Sequence, residues 1–154
     1  MPTLFTTTDA LLMESLQIEP TYCTPHVFFD SSTGILSLSG CSYSEDAVEF
    51  YKPLFAWIND YKVNPQPKTE VKVYFKYFNT ASAKCVYEIM SRLSSVQTEA
   101  SAVKISWYHA HDDDDIRQAG IDFSEILKAP FEIIALEDEE DDDEQKKLIG
   151  GNLS

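Results

Sequence analysis

The chain has 154 residues, 26 of them acidic against 12 lysines and arginines, for a formal charge of −14; its hydrophobic fraction of 44% is that of an ordinary globular domain. That length suits one domain built from two packed layers, and no run approaches the ~20 apolar residues of a membrane span. The excess of carboxylates argues against nucleic acid and against an anionic membrane surface, because both need cations. A protein with a basic surface is the expected partner.

Part of the charge is local, because residues 137–144 are all acidic. With those eight acids and the two lysines that follow set aside, residues 1–136 still hold 18 acids against 10 bases. The N-terminus has no basic region ahead of an apolar run, so it does not read as a signal peptide. Cys23, Cys41 and Cys85 are odd in number and widely spaced. They fit a reducing, cytoplasmic setting and match no disulfide framework or zinc pattern.

Along the chain, residues 1–12 are polar and Thr-rich. His26 to Ser31 and Ile35 to Ser39 read as two strands, and Asp30-Ser-Ser-Thr-Gly34 supplies the turn of an antiparallel hairpin. Ser42-Tyr-Ser-Glu45 has the Ser-x-x-Glu form of a capping box. The stripe Val48, Tyr51, Phe55, Ile58 and Tyr61 follows at helical spacing, with Pro53 inside it predicting a kink or a late start. Residues 62–68 form a loop.

From Thr69 to Phe78, Val71, Val73, Phe75 and Tyr77 alternate with Glu70, Lys72, Tyr74 and Lys76, which is strand periodicity. Asn79-Thr80 then opens a helix whose buried stripe is Val86, Ile89, Met90 and Leu93. Val103, Ile105 and Trp107 mark the next strand, a third helix falls within 113–128, and Phe131 to Leu136 is the last strand. The order implies an α/β fold: a mixed sheet, an antiparallel hairpin then parallel strands, with helices mainly on one face. The expected organisation is an extension over 1–20, an α/β domain over 21–137 and an acidic, disordered tail over 138–154.

The strand-to-helix junction Phe78-Asn79-Thr80-Ala81-Ser82 is the leading candidate site. Asn and Thr are both good N-caps, and a first turn offers free N–H groups and the positive end of the macrodipole. A phosphate on Thr80 would meet those donors, with Lys84 one turn along to pair with it and Asn79 and Ser82 as its surroundings. The competing reading makes Asn79 and Thr80 a helix cap and nothing more. Elsewhere, His109-Ala-His111-Asp112 is a weak metal candidate beside a four-Asp run that reads as a solvated loop capping the next helix. His26 reads as a strand-edge residue, Cys85 as a packed thiol, and nearly all tyrosines and phenylalanines as core. No nucleophile motif and no Gly-rich phosphate loop is present, so no cofactor and no enzymatic activity are expected.

Several blocks in order carry a resemblance: Met13-Glu-Ser-Leu-Gln-Ile-Glu19, Thr24-Pro-His-Val-Phe-Phe-Asp30, Gly34 through Ala47, Tyr77-Phe-Asn-Thr-Ala-Ser82, Trp107-Tyr108 with its acidic run, and Ala129-Pro-Phe-Glu132. Together they resemble the SiaC family of regulatory phosphoproteins over about 125 residues. The resemblance implies a fold similar to STAS-type anti-sigma-factor antagonists. It also implies a threonine, Thr80 by motif position, that a serine/threonine protein kinase phosphorylates and a metal-dependent protein phosphatase restores. The unphosphorylated form would bind and activate a diguanylate cyclase, raising cyclic di-GMP and promoting biofilm formation. The alternative is a constitutive STAS-like scaffold without a switch. Residues 1–12 precede the family's usual start, which would make Met13 the initiator. His109-Ala-His111 and the long tail also depart from the family pattern.

Overall fold

The computed structural model describes residues 13–137. Six strands and three helices follow in the order β1 (Leu16–Ile18), β2 (His26–Asp30), β3 (Ile35–Ser42), α1 (Ala47–Tyr61), β4 (Lys68–Phe78), α2 (Thr80–Ser94), β5 (Ala102–Ala110), α3 (Asp114–Ile126) and β6 (Phe131–Leu136). The strands lie in one sheet in sequence order. β1 to β3 pair antiparallel, and β3 to β6 pair parallel.

Each parallel crossover steps one strand in the same direction, so right-handed connections put all three helices on one face. Leu36, Leu38, Val71, Val73, Phe75, Val103, Ile105 and Trp107 point to that face and bury against Tyr51, Leu54 and Ile58 of α1, Val86, Ile89, Met90 and Leu93 of α2, and Ile116 of α3. Burying each such side chain is worth about 1.5–3 kcal/mol, which makes this layer the main stabilising term. The other face is mostly polar, with a small cluster of Tyr108 and Leu136 packed by Tyr74 and Ile134. A sequential order has no point where the strand order reverses, so the sheet has no switch-point crevice between two helix layers.

The hairpin forms as expected: Asp30 pairs Ile35, Asp30 Oδ1 accepts from the Ser32 N–H at 3.0 Å, and Gly34 takes φ +78°. Two expectations are corrected. The sheet starts earlier than residue 21: β1 lies inside the segment set apart as an extension and pairs with β2 through Leu16 and Phe29. Ser42 to Glu45 is no capping box, because Ser42 still belongs to β3, opposite Phe78. The cap of α1 is Asp46, whose side chain makes no capping bond.

Helix α1 runs unbroken from Ala47 through Pro53. Pro53 faces solvent, where the carbonyl it frees can be hydrated. The buried stripe is Ala47, Tyr51, Leu54, Trp57, Ile58 and Tyr61, while Val48 is exposed and Phe55 half-buried beneath the Arg92 guanidinium at 4.7 Å. Tyr51, Ile58 and Tyr61 are buried as the periodicity predicts, and Ala47 and Leu54 take the places it gave to Val48 and Phe55. In β4, Tyr77 was expected inside and is exposed instead. Pairing shifts between Gly40 and Cys41, so that Gly40 meets Phe75 and Cys41 meets Tyr77. The extra residue, Lys76, reverses the alternation. Phe78 then packs inward against Phe75 and Trp107. Residues 1–12 and the acidic segment 138–154 lie outside the described residues.

Candidate functional site

Parallel strands bring the N-termini of all three helices to the carboxyl edge of the sheet, and α2 begins there immediately after β4. Asn79 is its N-cap, and its side chain accepts from the Ser82 N–H at 2.9 Å. Thr80 is therefore the first helical residue and not the cap. Its side chain is exposed, and it makes no hydrogen bond among the described residues.

Ser42 fixes this turn from below. Its carbonyl accepts from the Asn79 N–H at 3.0 Å. Its hydroxyl lies 2.8 Å from Ser82 Oγ and 2.8 Å from Tyr51 Oη. With Ser42 donating to Ser82, Tyr51 must donate to Ser42, so a buried hydroxyl chain links α1, β3 and α2. Burial pushes the Tyr51 phenol far above its ordinary pKa, which keeps its proton in place for that bond. Ser82 is fully buried. It is part of the support and has no access to a modifying enzyme. Lys84 is exposed one turn beyond Thr80 and makes no ion pair among the described residues.

The electrostatics of the three helix starts differ. α1 opens with Asp46 and carries Glu49 in its first turn. α3 is capped by Asp113, which accepts from the Ile116 N–H at 3.0 Å, and adds Asp114 and Asp115. α2 has a neutral cap and no acid in its first turn. In so acidic a chain, Thr80 thus sits at the one start among these three where the positive end of the macrodipole has no carboxylate beside it.

The other candidates separate in space. His109 is buried on the helix side with Nδ1 2.8 Å from the Ala110 carbonyl, and His111 is exposed. Among the described residues no three His, Cys, Asp or Glu side chains converge as a metal site. A groove of about 650 Å³ runs between Tyr74–Lys76 and Asp112–Asp115. Cys85 is a packed thiol whose pKa burial raises. His26 is the first residue of β2 and pairs with Ser39 of β3, with Nε2 buried and unbonded among the described residues.

Sequence reading missed the tyrosines Tyr22, Tyr43 and Tyr77, which were taken as core. Tyr22 and Tyr43 meet edge-to-face at 6.3 Å, and Tyr43 meets Tyr77 at 5.7 Å. Ser42 points into the helix layer, so Cys41 and its partner Tyr77 face the opposite side of the sheet. The signal for Tyr43 was its place between two serines, off any apolar period.

These features define a class: a one-sided α/β domain with a mixed sheet that presents an acid-free helix start at its carboxyl edge. Residues 18–136 match the SiaC family regulatory phosphoproteins, and the chain belongs to that family. It is 26% identical over 126 residues to an uncharacterized protein of Pseudomonas aeruginosa strain UCBPP-PA14, covering 82% of this chain and all of that one. Among solved structures it is similar to SiaC of Pseudomonas aeruginosa crystallised with the diguanylate cyclase SiaD, which it activates, with TM-score 0.73 and 26% identity over 79% of this chain and 99% of that one. It is also similar to apo-SiaC, with TM-score 0.71 and 27% identity over 80% of this chain and all of that one. No helix among the described residues is long and apolar enough to cross a membrane.

Proposed function

We propose that this chain is a non-enzymatic, cytoplasmic phosphoswitch with a STAS-like fold. Its unphosphorylated form binds and activates a diguanylate cyclase, and phosphate on Thr80 releases that enzyme. A serine/threonine kinase adds the phosphate and a metal-dependent phosphatase removes it, so cyclic di-GMP and biofilm formation follow the unphosphorylated fraction. The family is one of regulatory phosphoproteins, and a relative in it is a cyclase activator.

The observation that carries the reading is the division of labour at α2. Asn79 holds the cap, which leaves the Thr80 hydroxyl exposed at a helix start without carboxylates. A constitutive scaffold in which Thr80 merely caps the helix is disfavoured by the same bond. Phosphate there adds about −1.5 to −2 charges and gains N–H donors and Lys84. The same charge in a protein contact must be desolvated, which opposes binding.

The test is phosphosite mapping by mass spectrometry on protein from its native cells, with and without phosphatase, followed by titration of wild type, Thr80→Val and Thr80→Asp against the diguanylate cyclases of its own genome. One phosphate on Thr80, with Thr80→Val activating a cyclase and Thr80→Asp failing to, is the expected result. Equal binding by all three forms would refute the switch.

A further inference from the structure

We propose that the exposed ladder Tyr22–Tyr43–Tyr77 is the surface through which the chain grips its cyclase. It takes an apolar segment that brings a basic side chain to Glu45 and Asp46 and a carboxylate to Lys76 and Lys84. This rests on the cyclase reading above and names the surface and its chemistry.

Single exposed hydrophobics are ordinary, but a contiguous group is not. Six large hydrophobics are exposed among the described residues, and three of them, Tyr22 at 82%, Tyr77 at 53% and Tyr43 at 37%, touch one another in a row. Tyrosine is enriched where binding energy concentrates, because a rigid ring buries much area at little entropic cost. The row spans three adjacent elements: the approach to β2, the exit of β3 and the end of β4. Tyr77 reaches it only because the pairing shift opposite Gly40 and Cys41 reverses the strand's alternation. Without that shift it would be a core residue.

The charges around the row are divided. Glu45 and Asp46 come two and three residues after Tyr43 and are exposed without an ion pair among the described residues, while Lys76 precedes Tyr77 and Lys84 lies one turn past Thr80, both exposed. A segment of matching polarity docks in one direction only. The polarity also gives the switch its sign. Thr80 is three residues from Tyr77, so its phosphate would cancel the ammonium end and repel the carboxylate that end attracts.

The experiment measures Kd for the cyclase that wild type activates, using Tyr22→Ser, Tyr43→Ala, Tyr77→Ser and Lys84→Glu, with Val63→Ala as a control. Val63 is 84% exposed and precedes β4 at the opposite edge of the sheet. Each tyrosine variant should raise Kd tenfold or more, Lys84→Glu should do likewise, and Val63→Ala should stay within twofold, all with unchanged circular dichroism. Tyr22→Ser settles the matter if Tyr43→Ala fails to fold, because Tyr22 is almost wholly in solvent. Tyrosine variants binding within threefold of wild type, while Thr80→Asp does not bind, would overturn this surface and leave the switch standing. A wild type that binds no cyclase would overturn both.

Discussion

The Asn79 carboxamide accepts the Ser82 N–H at 2.9 Å, and that bond gives Asn79 the capping role at α2. Asn79→Ala therefore removes the cap and should cost about 1 kcal/mol. For a domain of this size that lowers Tm by roughly 3–5 °C. Thr80→Ala should shift stability by less than about 0.5 kcal/mol, as surface changes do. Thermal denaturation of the two variants checks the contrast, and equal losses would mean that Thr80 shares the cap.

Tyr51→Phe deletes the hydroxyl that donates to Ser42 in the buried chain to Ser82. Leaving a buried acceptor short of its donor should cost about 1–3 kcal/mol. Because Ser42→Ala breaks the same chain, the double variant should lose less than the sum of the singles. Urea unfolding of the four proteins gives the coupling, and strict additivity would count against a connected chain.

Gly120→Ala should destabilise the domain, although alanine favours a helix by about 1 kcal/mol. A Cβ at Gly120 would overlap the indole ring of Trp107, a fully buried side chain whose Nε1 donates to the Ile116 carbonyl at 2.9 Å. Neither the helix backbone nor the ring can yield cheaply, so the overlap outweighs the propensity gain, with a net loss of about 1–3 kcal/mol or more. The reading is a lowered Tm with a shift in tryptophan fluorescence.

Acid should weaken the fold through His26. Burial holds its imidazole below the ordinary 6.5, with the nearby Glu19 opposing less strongly. A depressed folded pKa means that the unfolded chain takes up the proton first. The contribution is therefore complete above about pH 6.5 and is lost progressively as pH falls below it. Denaturant midpoints for wild type and His26→Gln between pH 7.5 and 5.5 should converge on acidification. Parallel curves would show that His26 is silent.

Elements with a strong period were legible in the sequence. Val86, Ile89, Met90 and Leu93 of α2 are all fully buried, and Val103, Ile105 and Trp107 of β5 point inward as read. The α1 stripe was less secure, since Val48 and Ala47 compete for one position and only packing decides between them. The supposed cap at Ser42 failed because a Ser-x-x-Glu spacing cannot report that the strand has not ended. Asn79 and Thr80 were both plausible caps on propensity, and which of them bonds Ser82 depends on backbone angles that composition does not encode. The tyrosine row was hidden for the same kind of reason, because a change of register leaves no mark in an alternating string.

Lys76, the additional residue in β4, acts as a parity bit. A strand offers each side chain one of two directions, so a single insertion inverts every assignment after it until the chain leaves the sheet. Here the inverted stretch is only Tyr77 and Phe78, since α2 starts two residues later. One position thus decides whether a phenol or a phenyl ring meets the solvent, while the hydrophobic content of the strand stays the same. Families built on this sheet could redraw the outer surface of the carboxyl edge by adding or removing one residue, with the core composition untouched.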